Sequence, residues 1–198
     1  MSQIDLWYAS RATGIVALVL LTATIVLGIL VAGRAPSARP GFARSELHRR
    51  VSSVAVAFVA LHVLTAVLDS YAHIGWWATV VPFTSSYHRA WVALGTIGVD
   101  LLLAVAISSA LRRRIPARAW RALHWLAYLS WPVAISHTLG LGPDTRFSWA
   151  LVLVGGCSAA IAGAALWRGA STARARAARP RTIQPPRPSL RPTKVASS

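Results

Sequence analysis

Four of the six histidines in this sequence fall into two matched spacings: His48 and His62 lie fourteen residues apart, His124 and His137 thirteen. Both pairs sit in or beside long apolar runs. Polar side chains are rare and costly in a lipid interior, so four imidazoles in two registers need a task there. Axial ligation of haem iron is such a task. On a helix rising about 1.5 Å per residue, each pair spans roughly 20 Å, about two thirds of a bilayer core of about 30 Å. The spacing describes a ladder with two rungs, each able to hold one haem.

The elements that must carry this ladder are membrane helices. With 55% hydrophobic residues, a mean hydropathy of +0.52 and only five acidic side chains in 198 residues, the composition departs from that of a soluble domain. Five apolar runs, 12–33, 51–72, 90–111, 119–140 and 147–167, each have about the 20 residues a spanning helix needs. The shorter stretch 74–83 contains Trp76, Trp77 and Pro82 and reads as an interfacial or re-entrant segment. The expected fold is all-α, an integral membrane bundle of five transmembrane helices.

The net charge of +16 invites a nucleic-acid reading, but the positions of the basic residues explain it otherwise. Arg34, Arg39, Arg44, Arg49 and Arg50 lie between the first two runs, and Arg112, Arg113, Arg114, Arg118 and Arg121 between or beside the third and fourth. Eight more, from Arg168 to Lys194, follow the fifth. Only Arg11, Arg89 and Arg146 fall on the other side. This positive-inside pattern places the N-terminus outside and the C-terminus in the cytoplasm, and it removes the need for a nucleic-acid partner. It also argues against a cleaved signal peptide, whose charge would precede the first apolar run. Residues 1–168 are expected to form the membrane domain. Residues 169–198, rich in Arg and Pro, are expected to form a disordered cytoplasmic tail touching membrane lipid.

This topology tests the ladder. The second and fourth spans run parallel, so His48 and His124 share the cytoplasmic depth and His62 and His137 the outer depth. Angular phase agrees less well. Fourteen residues return His62 to within roughly 40° of His48, whereas thirteen leave His137 about 140° from His124 on an ideal helix. The fourth span must be rephased, and Pro132 lies between its two histidines. Arg49, Arg50 and Arg121, beside the cytoplasmic pair, suit haem propionates or are ordinary positive-inside residues.

Several further stretches, Trp7-Tyr8-x-x-Arg11-Ala12-Thr13-Gly14, Trp91-Val92-Ala93-Leu94-Gly95, Arg121-x-x-His124-Trp125-x-x-Tyr128 and His137-Thr138-Leu139-Gly140, complete a pattern. With the histidine spacings, residues 6–167 resemble the ferric reductase-like transmembrane domain. Relatives of that domain include the haem-binding membrane subunit of methionine sulfoxide reductase and the membrane cores of NADPH oxidases. The resemblance implies a b-type cytochrome with two haems, held by His48, His62, His124 and His137 at the positions of the family's ligands. Electrons would pass from a cytoplasmic donor to an acceptor outside, such as iron or a reductase protein.

Two departures shape what it implies. Larger relatives carry a flavin and nicotinamide domain, for which no glycine-rich fingerprint appears here, so the donor is expected to be a separate flavoprotein, a bound flavin, or a quinol. Many relatives also have a sixth helix. No nucleophile, acid–base pair or substrate pocket can be named, so no catalytic residue is assigned and the chain reads as the electron-transfer subunit of an oxidoreductase. The expected location is the bacterial inner (cytoplasmic) membrane. The competing readings are a non-redox membrane anchor or assembly subunit and, with less support, a proton-coupled transporter using Asp100 and the histidines.

Other residues have roles to be placed. Asp100, midway along the third span, is expected to be buried and hydrogen-bonded. His73 and His88, with Asp69, Tyr71 and Tyr87, belong to the outer loop and are candidates for a metal or docking role, against the ordinary role of loop histidines. Cys157, the only cysteine, rules out an intramolecular disulfide and reads as a packing residue. Gly155, Ala159 and Gly163 form a small-residue stripe suited to close helix packing. Trp125 and Trp131 suit either haem packing or ordinary core.

Overall fold

The computed structural model describes residues 3–32, 40–70, 74–142 and 147–178. These residues form α1 (Gln3–Val31), α2 (Pro40–Leu68), a 3-10 turn (Trp76–Thr79), α3 (Arg89–Ala110), α4 (Ala117–His124), α5 (Leu126–Leu141) and α6 (Ser148–Ala177), with no strand among them. The fold is an all-α membrane bundle. α1, α2, α3 and α6 are each long and apolar enough to cross a membrane. The fourth apolar run is divided between α4 and α5, which are 8 and 16 residues long. His73, Tyr71, Arg146 and the segment 179–198 lie outside the described residues. α6 itself runs past position 168 to Ala177.

Helix is the only open-ended structure whose backbone polar groups are satisfied within one segment, which lipid demands. Hydroxyls inside the spans follow the same rule by bonding back to carbonyls one turn earlier. Thr13, Thr22, Ser52, Thr65, Thr138 and Ser158 bond the carbonyls of Ala9, Leu18, His48, Leu61, Ala134 and Val154. α1 is the central helix: Ala17, Leu18, Leu21, Ile25 and Ile29 are all buried. It packs on α2, α5 and α6. At its C-terminal end the Ile29 carbonyl, in the last turn, accepts a hydrogen bond from Arg168 Nη1 at 2.9 Å. A cation there also suits the negative end of the helix dipole.

α1 and α2 are antiparallel, since Ser10 meets His62 and Thr24 meets His48. α3 and α5 are antiparallel in turn, with Trp91 against His137 and Gly98 facing Val133. The two hairpins are tied together by Trp131 Nε1, which donates to Thr22 Oγ1 at 3.0 Å between α5 and α1. Trp131→Phe deletes this bond and leaves the ring. It should cost about 0.5–1.5 kcal/mol, read as a lowered thermal midpoint in detergent; no change would mean that Thr22, already bonded to Leu18, gains nothing from the indole.

Rephasing of the fourth run occurs at Trp125, between α4 and α5, whereas Pro132 lies inside the continuous helix α5. The Trp125 N–H is shared between the carbonyls of Arg121 and Ala122, and the Tyr128 N–H bonds the Trp125 carbonyl. Three-residue turns advance about 120° per residue instead of about 100°. Tightening therefore rotates α5 in the sense that closes the gap between His124 and His137.

Two expectations are overturned. Asp100 is not buried: it lies exposed on α3, in line with Leu103 and Ile107, and has no hydrogen bond or ion pair among the described residues. Asp100 falls on the same face as Val92, Ala93 and Thr96, but that face is covered only in the first turns of α3, where the 3-10 turn docks through Ala78 on Thr96; further along, Asp100, Leu103 and Ile107 are left uncovered. A carboxyl at mid-span costs at least about 2.5 kcal/mol on the lenient insertion scale. Asp100→Leu is accordingly expected to raise the thermal midpoint, and a lowered midpoint would show that the carboxyl has a partner in the assembled protein. The small-residue stripe of α6 also packs on nothing described: a Cβ added at Gly155, Gly156 or Gly163 meets no atom within 4 Å.

The segment 74–83 is not a crossing. Trp76 and Trp77 are exposed, while Ala78 is buried and its carbonyl takes the Thr96 hydroxyl at 2.5 Å. One side of the turn is thus docked on α3 and the other offers indoles suited to a membrane interface.

Candidate functional site

The parallel helices α2 and α5, with α4 preceding α5, bring the four histidines together in two pairs. His48 and His124 have ring centres 6.3 Å apart with planes at 71°. His62 and His137 repeat the arrangement at 6.3 Å and 79°. The first pair lies at the basic end of the bundle, near Arg112, Arg118 and Arg121; the second lies at the far end.

Each anchored imidazole has one nitrogen already committed. Nδ1 of His62 contacts the Ser10 carbonyl at 2.8 Å, Nδ1 of His137 the Trp91 carbonyl at 2.8 Å, and Nδ1 of His48 the Thr24 carbonyl at 3.1 Å. A carbonyl only accepts, so Nδ1 carries the proton and donates, and Nε2 keeps its lone pair. This is the tautomer a metal ligand needs, with its outer nitrogen oriented by the backbone. A metal held by two imidazoles at about 2.0–2.1 Å requires ring centres about 6 Å apart. Both pairs meet that requirement. Among the described residues no group of three or more His, Cys, Asp or Glu side chains is placed to hold a metal ion. Two ligands suffice for a haem, whose porphyrin supplies the other four nitrogens.

Glycines make the pairs possible. A Cβ on Gly14 would lie 3.0 Å from His62, one on Gly28 3.4 Å from His48, and one on Gly95 2.6 Å from His137. Gly140 plays a related part, since a Cβ there would run into the Trp91 ring. His62 and His137 open onto a cavity of about 500 Å³, lined also by Gly14, Leu18, Gly95, Val99 and Ala134. That volume is within the usual range for organic cofactors, about 300–1,000 Å³.

The basic residues for which the sequence left two roles open are exposed. Arg49 and Arg50 turn to Glu46, at 2.9 and 2.8 Å, and remain exposed, and Arg121 is exposed as well. Instead, Arg112 lies over the Trp120 ring at 4.3 Å, and Trp120 stacks on His124 at 4.9 Å. At the far end Arg11 lies over Trp7 at 4.1 Å and lines the cavity beside His62. The four-residue spacing of Trp7 and Arg11 on one helix face was the available signal. His88 is exposed at the N-cap of α3, edge-on to the Tyr87 ring, and remote from both pairs in sequence and contact.

The anchoring carbonyls and glycines of α1 are the functional residues that histidine spacing alone did not identify. Gly14 and Gly28 are fourteen residues apart, as are His48 and His62 on the antiparallel neighbour. That shared interval was legible.

The family model described as "Ferric reductase like transmembrane component" matches residues 13–135. This stretch contains His48, His62 and His124 and stops two residues before His137. No curated protein and no solved structure matches the chain.

Proposed function

Since this chain belongs to the ferric reductase-like transmembrane component family, we propose that it is a b-type cytochrome, the electron-transfer subunit of a membrane oxidoreductase. In this reading two haems are held by bis-histidine ligation, one by His48 and His124 at the cytoplasmic side and one by His62 and His137 at the outer side. The observation that carries it is the recurrence of one geometry at both ends of the bundle: two imidazoles 6.3 Å apart and nearly perpendicular, with Nε2 left free by an Nδ1 anchor in His48, His62 and His137.

Bound haem would supply one-electron chemistry at a potential set by its axial ligands and surroundings. The chain's part is positional. Backbone carbonyls of Ser10, Thr24 and Trp91 fix the imidazole tautomer, glycines of α1 and α3 clear the approach, and apolar residues such as Leu18, Val99 and Ala134 exclude water from the outer site. Arg11 is the basic side chain placed to meet an outer propionate, and Arg112 an inner one.

The donor is a separate flavoprotein, a bound flavin or a quinol on the cytoplasmic side, and the acceptor is iron or a reductase protein outside. Residues 1–168 serve as the haem-binding domain, and the basic tail faces the cytoplasm and its anionic lipid, as the charge asymmetry favours for a bacterial inner-membrane protein. A pyridine haemochrome assay with a reduced-minus-oxidised spectrum on the purified protein tests the proposal. Two b haems per chain support it. None after haem-supplemented expression favours the membrane anchor or assembly subunit.

A further inference from the structure

The four imidazoles are not held alike. Three donate Nδ1–H to a carbonyl of the neighbouring helix, at 2.8 Å for His62, 2.8 Å for His137 and 3.1 Å for His48. Nδ1 of His124 is buried and has no hydrogen-bond partner among the described residues. His124 is also the last residue of the short helix α4, just before the break at Trp125, and its ring faces His48 and stacks on Trp120.

The three anchors share one design. The carbonyl belongs to residue i of the neighbouring helix (Ser10, Thr24, Trp91), and residue i+4 is glycine (Gly14, Gly28, Gly95). In an α-helix the N–H of residue i+4 bonds the same carbonyl, so a side chain at i+4 stands beside the imidazole's path to it. Glycine puts a hydrogen there. On α3 the fourth position can be counted from Trp91 and Gly95 by the interval between the histidines. Thirteen residues lead to Ala104 and Ser108, fourteen to Val105 and Ser109, and neither count reaches a glycine. Ser108 is buried, and its hydroxyl already bonds the Val105 carbonyl at 3.0 Å.

We infer that the two sites have unequal reduction potentials, the His48/His124 site being the higher, because His124 lacks the backbone acceptor that the other three ligands share. This rests on the haem reading above. An imidazole that donates Nδ1–H gains basicity at Nε2 and stabilises ferric over ferrous iron, which lowers the potential. Both outer ligands have that bond at 2.8 Å; the inner pair has it once, and longer. Each site also has a cation near it, Arg112 over Trp120 at the inner and Arg11 in the cavity lining at the outer, so the difference in potential rests on the Nδ1 bonds.

The test is a spectroelectrochemical titration of the full chain in lipid nanodiscs, with haem counted on the same sample. Two haems titrating in separated steps, with the lower step lost in His137→Leu, are expected. Gly14→Ala, which presses on His62 and weakens its bond to Ser10, should shift the lower step upward and leave the upper one in place. Two haems titrating together, or a lower step lost in His124→Leu instead, would overturn the inference while the haem reading stands. An unmoved lower step in haem-replete Gly14→Ala would overturn its cause. The wild-type order and the His137→Leu assignment do not depend on that variant keeping its haem. Fewer than two haems in the wild type would overturn the bis-haem reading itself, and this inference with it.

Discussion

His62→Ala and His137→Ala are each expected to reduce the haem content of the purified protein from two per chain to one and to abolish transmembrane electron transfer. The two side chains face each other at 6.3 Å, and each is anchored on a different neighbouring helix, so neither can move to replace the other. Loss of one leaves a single axial ligand in an apolar cavity with no other His or Cys among its lining residues. The surviving haem should keep a low-spin bis-imidazole spectrum, because His48 and His124 are untouched. His48→Ala and His124→Ala should produce the complementary loss. His88→Ala, at the exposed N-cap of α3, is the control that should keep both haems. Retention of two haems in His62→Ala or His137→Ala would remove these residues from the ligand set.

Gly95→Ala is the second large effect, and it adds only a methyl group. Its Cβ would stand 2.6 Å from Cε1 and 2.7 Å from Nδ1 of His137, closer than carbon and nitrogen can pack. The imidazole must leave the Trp91 carbonyl. Overpacking costs about 1–3 kcal/mol and the lost hydrogen bond about 0.5–1.5 more. We expect loss of the outer haem with the inner one retained, a phenotype close to that of His137→Ala. Gly14→Ala, at 3.0 Å from His62, should be milder, and Gly28→Ala, at an ordinary 3.4 Å from His48, milder still. Haem per chain and thermal midpoint should follow that order. Three equal effects would mean that the glycines serve general helix packing and not the imidazoles.

Much of this architecture could be read from the sequence because lipid imposes simple rules. Length and hydropathy located the spans, and the parallel course of the second and fourth runs gave the pairing His48 with His124 and His62 with His137, now seen at equal separations. What was hidden depends on helix rotation and on backbone atoms. A hydropathy run does not reveal how far along a helix its neighbour reaches, and here the 3-10 turn covers the face of α3 at Thr96 but not one turn on at Asp100. Nor does it reveal that α4 and α5 are separate helices, since Trp125 carries no proline or glycine to mark the break. Pro132 was the conspicuous candidate, but one missing N–H did not interrupt α5. The carbonyl anchors were least legible, because a backbone oxygen has no sequence identity; only the glycine four residues on betrays it.

α1 and α2 can be viewed as two measuring rods with the same fourteen-residue graduation, laid in opposite directions: Ser10 and Gly14 against His62, Thr24 and Gly28 against His48. One residue inserted between the marks on either rod would turn everything beyond it by about 100°. Whichever mark was then aligned, the other would miss. Substitution among the apolar residues between the marks is therefore cheap, while insertion or deletion there is not. Across divergent copies of this protein, the interval should stay constant after the side chains within it have changed.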